Sequence, residues 1–150
     1  MVARVRLLIT GGAGFIGSNF ARLVIDGSLS GFSSVTILDK LTYAGTLTNL
    51  RSIPGDSFSF IHGDICDEAL VTKLIKKHDA VINFAAESHV DRSIESAKDF
   101  VVTNVVGTQT LLEAFKLNPN GIFIQVSTDE VYGSISKGSW VESEPLLPNS

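Results

Sequence analysis

Leu7-Leu8-Ile9-Thr10-Gly11-Gly12-Ala13-Gly14-Phe15-Ile16-Gly17-Ser18-Asn19-Phe20 reads as a buried strand, a glycine turn and the opening of a helix. Gly11, Gly14 and Gly17 recur at every third position, and Gly12, Gly14 and Gly17 also fit G-x-G-x-x-G. One glycine of such a set allows the tight turn off the strand, one lets the backbone approach a pyrophosphate, and the last lets the helix pack close to the sheet. The unpaired N–H groups of the first helical turn then face the ligand, and the helix dipole favours its negative charge. The alternative is a glycine-rich hairpin that binds nothing. The apolar strand before the turn and the apolar-periodic helix after it argue against that.

The chain of 150 residues is long enough for one domain with a core. Hydrophobic residues make up 44% of it, and a mean hydropathy of +0.26 suits a parallel sheet buried on both faces. No apolar run reaches the ~18 residues that a membrane helix needs. Arg4 and Arg6 precede Leu7-Leu8-Ile9, but the glycines interrupt too soon for the apolar region of a signal peptide. Cys66 is the one cysteine, which excludes an intramolecular disulfide, and no Cys/His cluster has zinc spacing. No metal or membrane partner is expected, and the expected compartment is the reducing cytoplasm. The net charge of −4 and pI near 5.3 argue against general nucleic-acid binding.

Hydrophobic periodicity predicts strands over 4–10, 34–39, 58–61, 80–84 and 122–126. Helices are predicted over 14–26, with Phe15, Ile16, Phe20, Leu23 and Val24 inward, and over 67–77, with Leu70, Leu74 and Ile75 inward. A long helix from about 93 or 97 to 116 should carry Val101, Val105, Leu111, Leu112 and Phe115 as its apolar positions. A short helical piece is expected near 46–50. Strands alternating with helices give the fold class: α/β, a doubly wound parallel sheet of Rossmann type. Residues 133–150 show no periodic element and end without a cap or closing strand. We therefore read the sequence as the N-terminal portion of a longer chain, its small C-terminal substrate domain absent.

Asp39 ends the second strand about twenty residues beyond the glycine turn, where an acidic residue accepts hydrogen bonds from an adenosine ribose. It would repel a 2′-phosphate and so favour NAD over NADP; Lys40, next to it, weakens that preference. Asp39 can also be a plain strand-end turn residue. Asp64 and Ile65 follow the third strand, where the acid could accept from the exocyclic amine of an adenine and the isoleucine pack on its ring. The alternative is a turn leading to a helix cap at Asp67. Ala85 and Ala86 leave room for a ligand at the carboxyl edge, the ligand edge of open α/β sheets. Cys66 is most simply a small filler.

The fifth strand runs into Ser127-Thr128-Asp129-Glu130-Val131-Tyr132-Gly133. An Asp-Glu pair is common on solvent-facing loops. Just past a strand end at the ligand edge, however, two carboxylates in different environments can serve as acid and base. The stretches 10–18, 38–45, 62–65, 84–93, 103–108 and 127–133 resemble those of the extended short-chain dehydrogenase/reductases, and among these the dTDP-glucose 4,6-dehydratases. Ala86-Glu87-Ser88-His89-Val90-Asp91-Arg92-Ser93 and 127–133 carry the specific part of the likeness; the glycine motif is common to the whole superfamily.

That resemblance implies a redox-neutral lyase that holds NAD and converts a nucleotide sugar, dTDP-glucose, to its 4-keto-6-deoxy form. It implies Thr128 at the sugar C4 oxygen, Asp129 as the acid for the departing C6 hydroxyl and Glu130 as the base at C5. It also implies cofactor contacts at Gly11, Gly14, Phe15, Ile16 and Gly17. Asp39, Lys40, Leu41 and Thr42 would hold the ribose, and Asp64 and Ile65 the adenine. Phe84, Ala85, Ala86, Ser88 and Thr103 would line the cofactor, with Ser88, Thr128, Asp129 and Glu130 also touching substrate. Asp91 and Arg92 can instead pair and cap the next helix; Asn104 is expected to be structural and Tyr132 packing. The resemblance further implies a homodimer through the helix near 97–116.

One departure stands out. The family also uses Tyr-x-x-x-Lys, and Tyr43 is followed by Leu47 and Tyr132 by Ser136 at the fourth position. These residues alone are therefore expected to be inactive. The competing readings are a sugar-nucleotide 4-epimerase, which has no need of an acid pair at 129–130, and a non-catalytic NAD-binding fragment.

Overall fold

The computed structural model describes residues 5–149. The expected strand residue Arg4 and the terminal Ser150 lie outside these. Five parallel strands form one sheet: β1 (Val5–Thr10), β2 (Phe32–Asp39), β3 (Ser59–His62), β4 (Ala80–Asn83) and β5 (Ile122–Gln125). Their spatial order is β3-β2-β1-β4-β5. The order reverses direction at β1, which pairs with β2 on one side and β4 on the other. This is the doubly wound topology, and its switch point lies beside the glycine turn.

Both faces of the central strands are covered, which is why they read as continuous apolar runs. Leu7, Ile9, Val35, Ile37, Ala80 and Ile82 pack under helix α1 (Phe15–Ile25) and the 3₁₀ turn Leu47–Leu50. Leu8, Leu38 and Val81 pack on the opposite face under α2 (Glu68–Ile75) and α5 (Thr108–Phe115), which supply Val71, Leu74, Ile75, Leu111 and Ala114. Asp67 caps α2, its side chain accepting from the Leu70 N–H at 3.0 Å.

The inward face of α1 differs from the sequence expectation. Phe15 is 89% exposed and Ile16 64%, and Leu23 is also exposed, whereas Gly17, Ser18, Ala21 and Val24 are buried. The helix start lies so near its own preceding turn that only small residues fit beneath it. The large apolar residues of the helix start point outward.

The helix expected from about 93 or 97 to 116 runs from Ala97 to Phe115, but not as a uniform α-helix. α3 (Val90–Glu95) ends at Ser96, whose backbone (φ −146°, ψ 81°) is not helical. α4 (Ala97–Phe100) runs into a π-helical stretch, Val101–Gly107, before α5 begins. Wider i→i+5 turns change the phase of the side chains. Val101, Val105 and Leu112, expected inward, are consequently 54%, 61% and 46% exposed, while Leu111 is buried. Five of the six residues from Val101 to Val106 are β-branched, which lowers α-helix propensity and favours the irregularity. Residues 133–149 contain no helix or strand.

Candidate functional site

The strand ends β1, β2, β4 and β5 deliver their following loops to one edge of the sheet. Gly11 begins the first of these loops. Its φ of +68° is disfavoured for any residue with a side chain, and a Cβ there would lie 2.5 Å from the Ala85 nitrogen. The turn after β4 therefore passes directly against the turn after β1. A Cβ at Gly17 would lie 2.3 Å from the Gly11 oxygen, so this glycine brings α1 onto its own preceding turn. Gly14 is the N-cap of α1 and supplies no side-chain cap. The first N–H groups of the helix have no intrahelical acceptor. An uncapped helix start flanked by glycines suits an anionic group such as a pyrophosphate.

Asp39 is almost fully buried and pins this turn from the side. One carboxylate oxygen accepts from the Ala13 N–H and the other from the Leu41 N–H, both at 2.8 Å. Leu41 has φ +55°, a left-handed conformation costly for a branched side chain, so its N–H bond to Asp39 offsets local strain. Asn49 Nδ2 donates to the Ala13 oxygen at 2.8 Å, tying the 3₁₀ turn to the same spot.

Lys40 and Asp64 meet at 2.7 Å across the ends of β2 and β3. Partial burial pushes the Asp64 carboxyl up, but the Lys40 ammonium and the Cys66 N–H together outweigh it and hold it below the usual carboxylate range. Ile65 is buried in the core, and Gly107 packs on it closely enough that a Cβ there would clash. Its side chain joins the core cluster of Leu8, Leu38 and Val81. Cys66 is half-buried; its thiol contacts the Val102 oxygen, and burial pushes its pKa up, as befits a filler.

The loop after β4 carries Phe84, Ala85, Ala86 and Ser88. Phe84 packs on Phe20 of α1 with ring centroids 5.4 Å apart. Asn104, in the π-helical stretch, clamps the Glu87 backbone with two 2.8 Å bonds, donating to its oxygen and accepting from its N–H. This is the structural role expected of it. Thr103 lies beside it, half-buried, and Ser88 and Ala86 are exposed. Arg92 does not pair with Asp91 among the described residues. Its guanidinium lies 3.9 Å from the Tyr43 ring centre, a cation–π contact that joins the loops after β2 and β4. Burial and the adjacent Glu87 carboxylate push the Tyr43 phenol up.

Thr128, Asp129 and Glu130 are all exposed, on a 3₁₀ turn (Asp129–Tyr132) just past β5. Thr128 caps it: its Oγ1 accepts from the Glu130 N–H and donates to Asp129 Oδ1, both at 3.3 Å. Tyr132 stacks on Trp140 at 5.8 Å, so it packs as expected. A cavity of about 330 Å³ opens beside it, lined by Tyr132, Ser134, Trp140, Glu144, Pro145 and Leu147. Apart from Tyr132 it touches neither the acid pair nor the glycine turn.

The sequence reading missed the polar groups that connect these loops. Thr10, Asn83 and Gln125 sit side by side at the last positions of β1, β4 and β5. The Thr10 hydroxyl donates to Asn83 Oδ1, which also accepts from the Ala85 N–H at 3.2 Å. Asn83 Nδ2 donates to Gln125 Oε1 at 2.8 Å. Their signal was present: each is the polar residue closing an apolar strand.

These features define a Rossmann-type α/β domain with its ligand edge at the carboxyl ends of the strands. The chain belongs to the GDP-mannose 4,6 dehydratase family, whose sequence profile matches residues 8–150. It is 54% identical over 149 residues to a dTDP-glucose 4,6-dehydratase of Streptomyces niveus, a match covering 97% of this chain and 44% of that protein. The crystal structure of DesIV, a dTDP-glucose 4,6-dehydratase from Streptomyces venezuelae with NAD bound, superposes with a TM-score of 0.91 at 52% identity, covering 96% of this chain and 46% of that one. A UDP-glucose 4-epimerase from Brucella ovis in complex with NAD gives 0.80 at 34% identity, covering 95% and 42%. The chain thus spans about half the length of the relatives it matches. No helix among the described residues is long and apolar enough to cross a membrane.

Proposed function

We propose that this chain is the NAD-binding part of an enzyme that dehydrates a nucleotide sugar, dTDP-glucose, to the 4-keto-6-deoxy product. The observation that carries the reading is the coincidence, at one sheet edge, of an uncapped helix start behind a glycine turn and a threonine–acid–acid turn beyond β5. The donor set fits the cofactor: free helix N–H groups for the pyrophosphate and the Asp39 carboxylate beside the ribose position. Bound NAD would accept hydride from sugar C4 and return it to C6.

This chain's own residues serve the elimination, while the C4 hydroxyl proton would go to the catalytic tyrosine. The Thr128 hydroxyl holds the C4 oxygen. Glu130 removes the proton from C5, which an adjacent C4 ketone acidifies. Asp129 delivers a proton to the C6 hydroxyl as it leaves. Ser88 and Thr103 line the path between the β4 loop and the π-helical stretch.

The acid pair favours dehydration over simple 4-epimerisation, which eliminates nothing at C6. The higher identity to dTDP-glucose dehydratases than to epimerases points the same way. The catalytic tyrosine and lysine would lie in sequence beyond these residues, with the substrate domain. The exposed apolar positions Val101, Val105 and Leu112 support pairing of two copies through the 97–116 segment. A cytoplasmic setting accords with the single cysteine.

Incubation of the full-length protein with dTDP-glucose should give dTDP-4-keto-6-deoxyglucose. Formation of the galactose epimer alone would favour the epimerase reading.

A further inference from the structure

Lys40 follows Asp39 directly, at the strand end where the adenosine ribose of a dinucleotide lies in such sheets. A cation there is what a 2′-phosphate would recruit. Lys40 is already engaged, in a pair whose side chains are 55% and 31% exposed. Its Nζ lies 2.7 Å from Asp64 Oδ2, and Asp64 is itself held by the Cys66 N–H on its other oxygen at 2.9 Å. The Lys40 carbonyl accepts from His62 Nε2 at 3.1 Å, and Asp39 and His62 are register partners on β2 and β3. Asp64 is thus held by its own turn, and the Lys40 backbone by the side chain of His62 on β3.

We propose that Asp64 sets cofactor selectivity by holding Lys40 away from a 2′-phosphate. Beside the ribose position stand two carboxylates, Asp39 and Asp64, and one ammonium. With Asp64 present the local charge is negative and the only cation of the three is occupied. Without its charge the balance is neutral and the cation is released. Asp64 acts here through Lys40, as a positioning residue. The inference rests on the dinucleotide reading above.

The test is calorimetric titration of the intact protein with NAD and with NADP. Asp64→Asn should raise NADP affinity relative to NAD by about tenfold, the scale of one charge-assisted bond to phosphate. Taking the ratio cancels any contact that residue 64 makes with the adenine common to both. Asp64→Glu should return the ratio towards that of the unmodified protein, and adding Lys40→Met to Asp64→Asn should erase the gain. Asp64→Ser, which removes the same charge, carries the test should Asp64→Asn not fold. An unchanged ratio in whichever of the two folds would overturn the inference while leaving the dinucleotide reading intact. An unmodified protein that bound neither nucleotide would overturn both.

Discussion

The two ends of the sheet handle their polar groups in opposite ways. At the amino ends of the strands, the groups satisfy one another. Arg6 chelates Asp79 through its side chain at 2.6 and 2.9 Å, joining β1 to the start of β4. Asp79 is held well below the usual carboxylate range by those bonds. His78 is buried nearby, its Nδ1 donating to the Leu74 oxygen at 2.7 Å and its Nε2 accepting from Thr36 Oγ1 at 2.8 Å. Asn118 closes the set on the His78 oxygen. At the carboxyl ends the helix start is uncapped, the acid pair faces solvent, and the buried groups serve to hold loops. One end is finished within the chain. The other turns its donors and acceptors outward, as a binding edge must.

This contrast predicts that substitutions at the carboxyl edge separate function from stability. In the full-length protein, Glu130→Gln or Asp129→Asn should each lower kcat by about 10²–10⁴-fold, the usual worth of a positioned proton-transfer group. Both side chains are exposed, so the melting temperature should barely move. Parallel kinetics and thermal melts check this; a large loss of stability would show the pair to be structural.

Asp39→Ala should break the separation, because that carboxylate holds the turn and also stands at the proposed ribose position. It would leave the Ala13 and Leu41 N–H groups without their acceptor, at a cost of about 3 kcal/mol by chemical denaturation. Dinucleotide affinity should fall with it.

Effects at the amino end should be smaller and confined to stability. Burial lowers the His78 pKa below its ordinary value. The unfolded chain then binds a proton more readily than the folded one, so the His78 contribution is complete above about pH 6.5 and is lost as pH falls through the lower folded value. Melting temperature should drop over that window in the unmodified protein and less in His78→Gln. Arg6→Ala should produce the smallest change: a slight fall in melting temperature, diminished by high salt because the pair is exposed, with NAD affinity unchanged.

The sheet was legible because its strands are apolar runs between glycine and polar turns, and the glycine spacing named the switch point. The roles of Asn104 and Tyr132 were legible for the same local reasons, and the cap at Asp67 as the alternative to an adenine contact at Asp64 and Ile65. What failed was helix facing. Phe15 and Ile16 look like core residues by period, yet Gly17 brings α1 so close to its own turn that only small side chains fit beneath it. Periodicity likewise assumed 3.6 residues per turn through Val101–Gly107, where the helix winds more widely. Ile65 was expected at an adenine because it follows the end of the third strand; its side chain is buried, with Gly107 close against it. The Asp64 pairing with Lys40 and the Thr10–Asn83–Gln125 row depend on register between strands distant in sequence, which a single chain read in order does not expose.

A crystal of this protein soaked with NAD tests the central claim most directly. The account predicts the pyrophosphate against the backbone N–H groups at the start of α1, the adenosine ribose at Asp39 and the nicotinamide towards the Thr128–Asp129–Glu130 turn. Density elsewhere, or a nicotinamide remote from those two carboxylates, would contradict it.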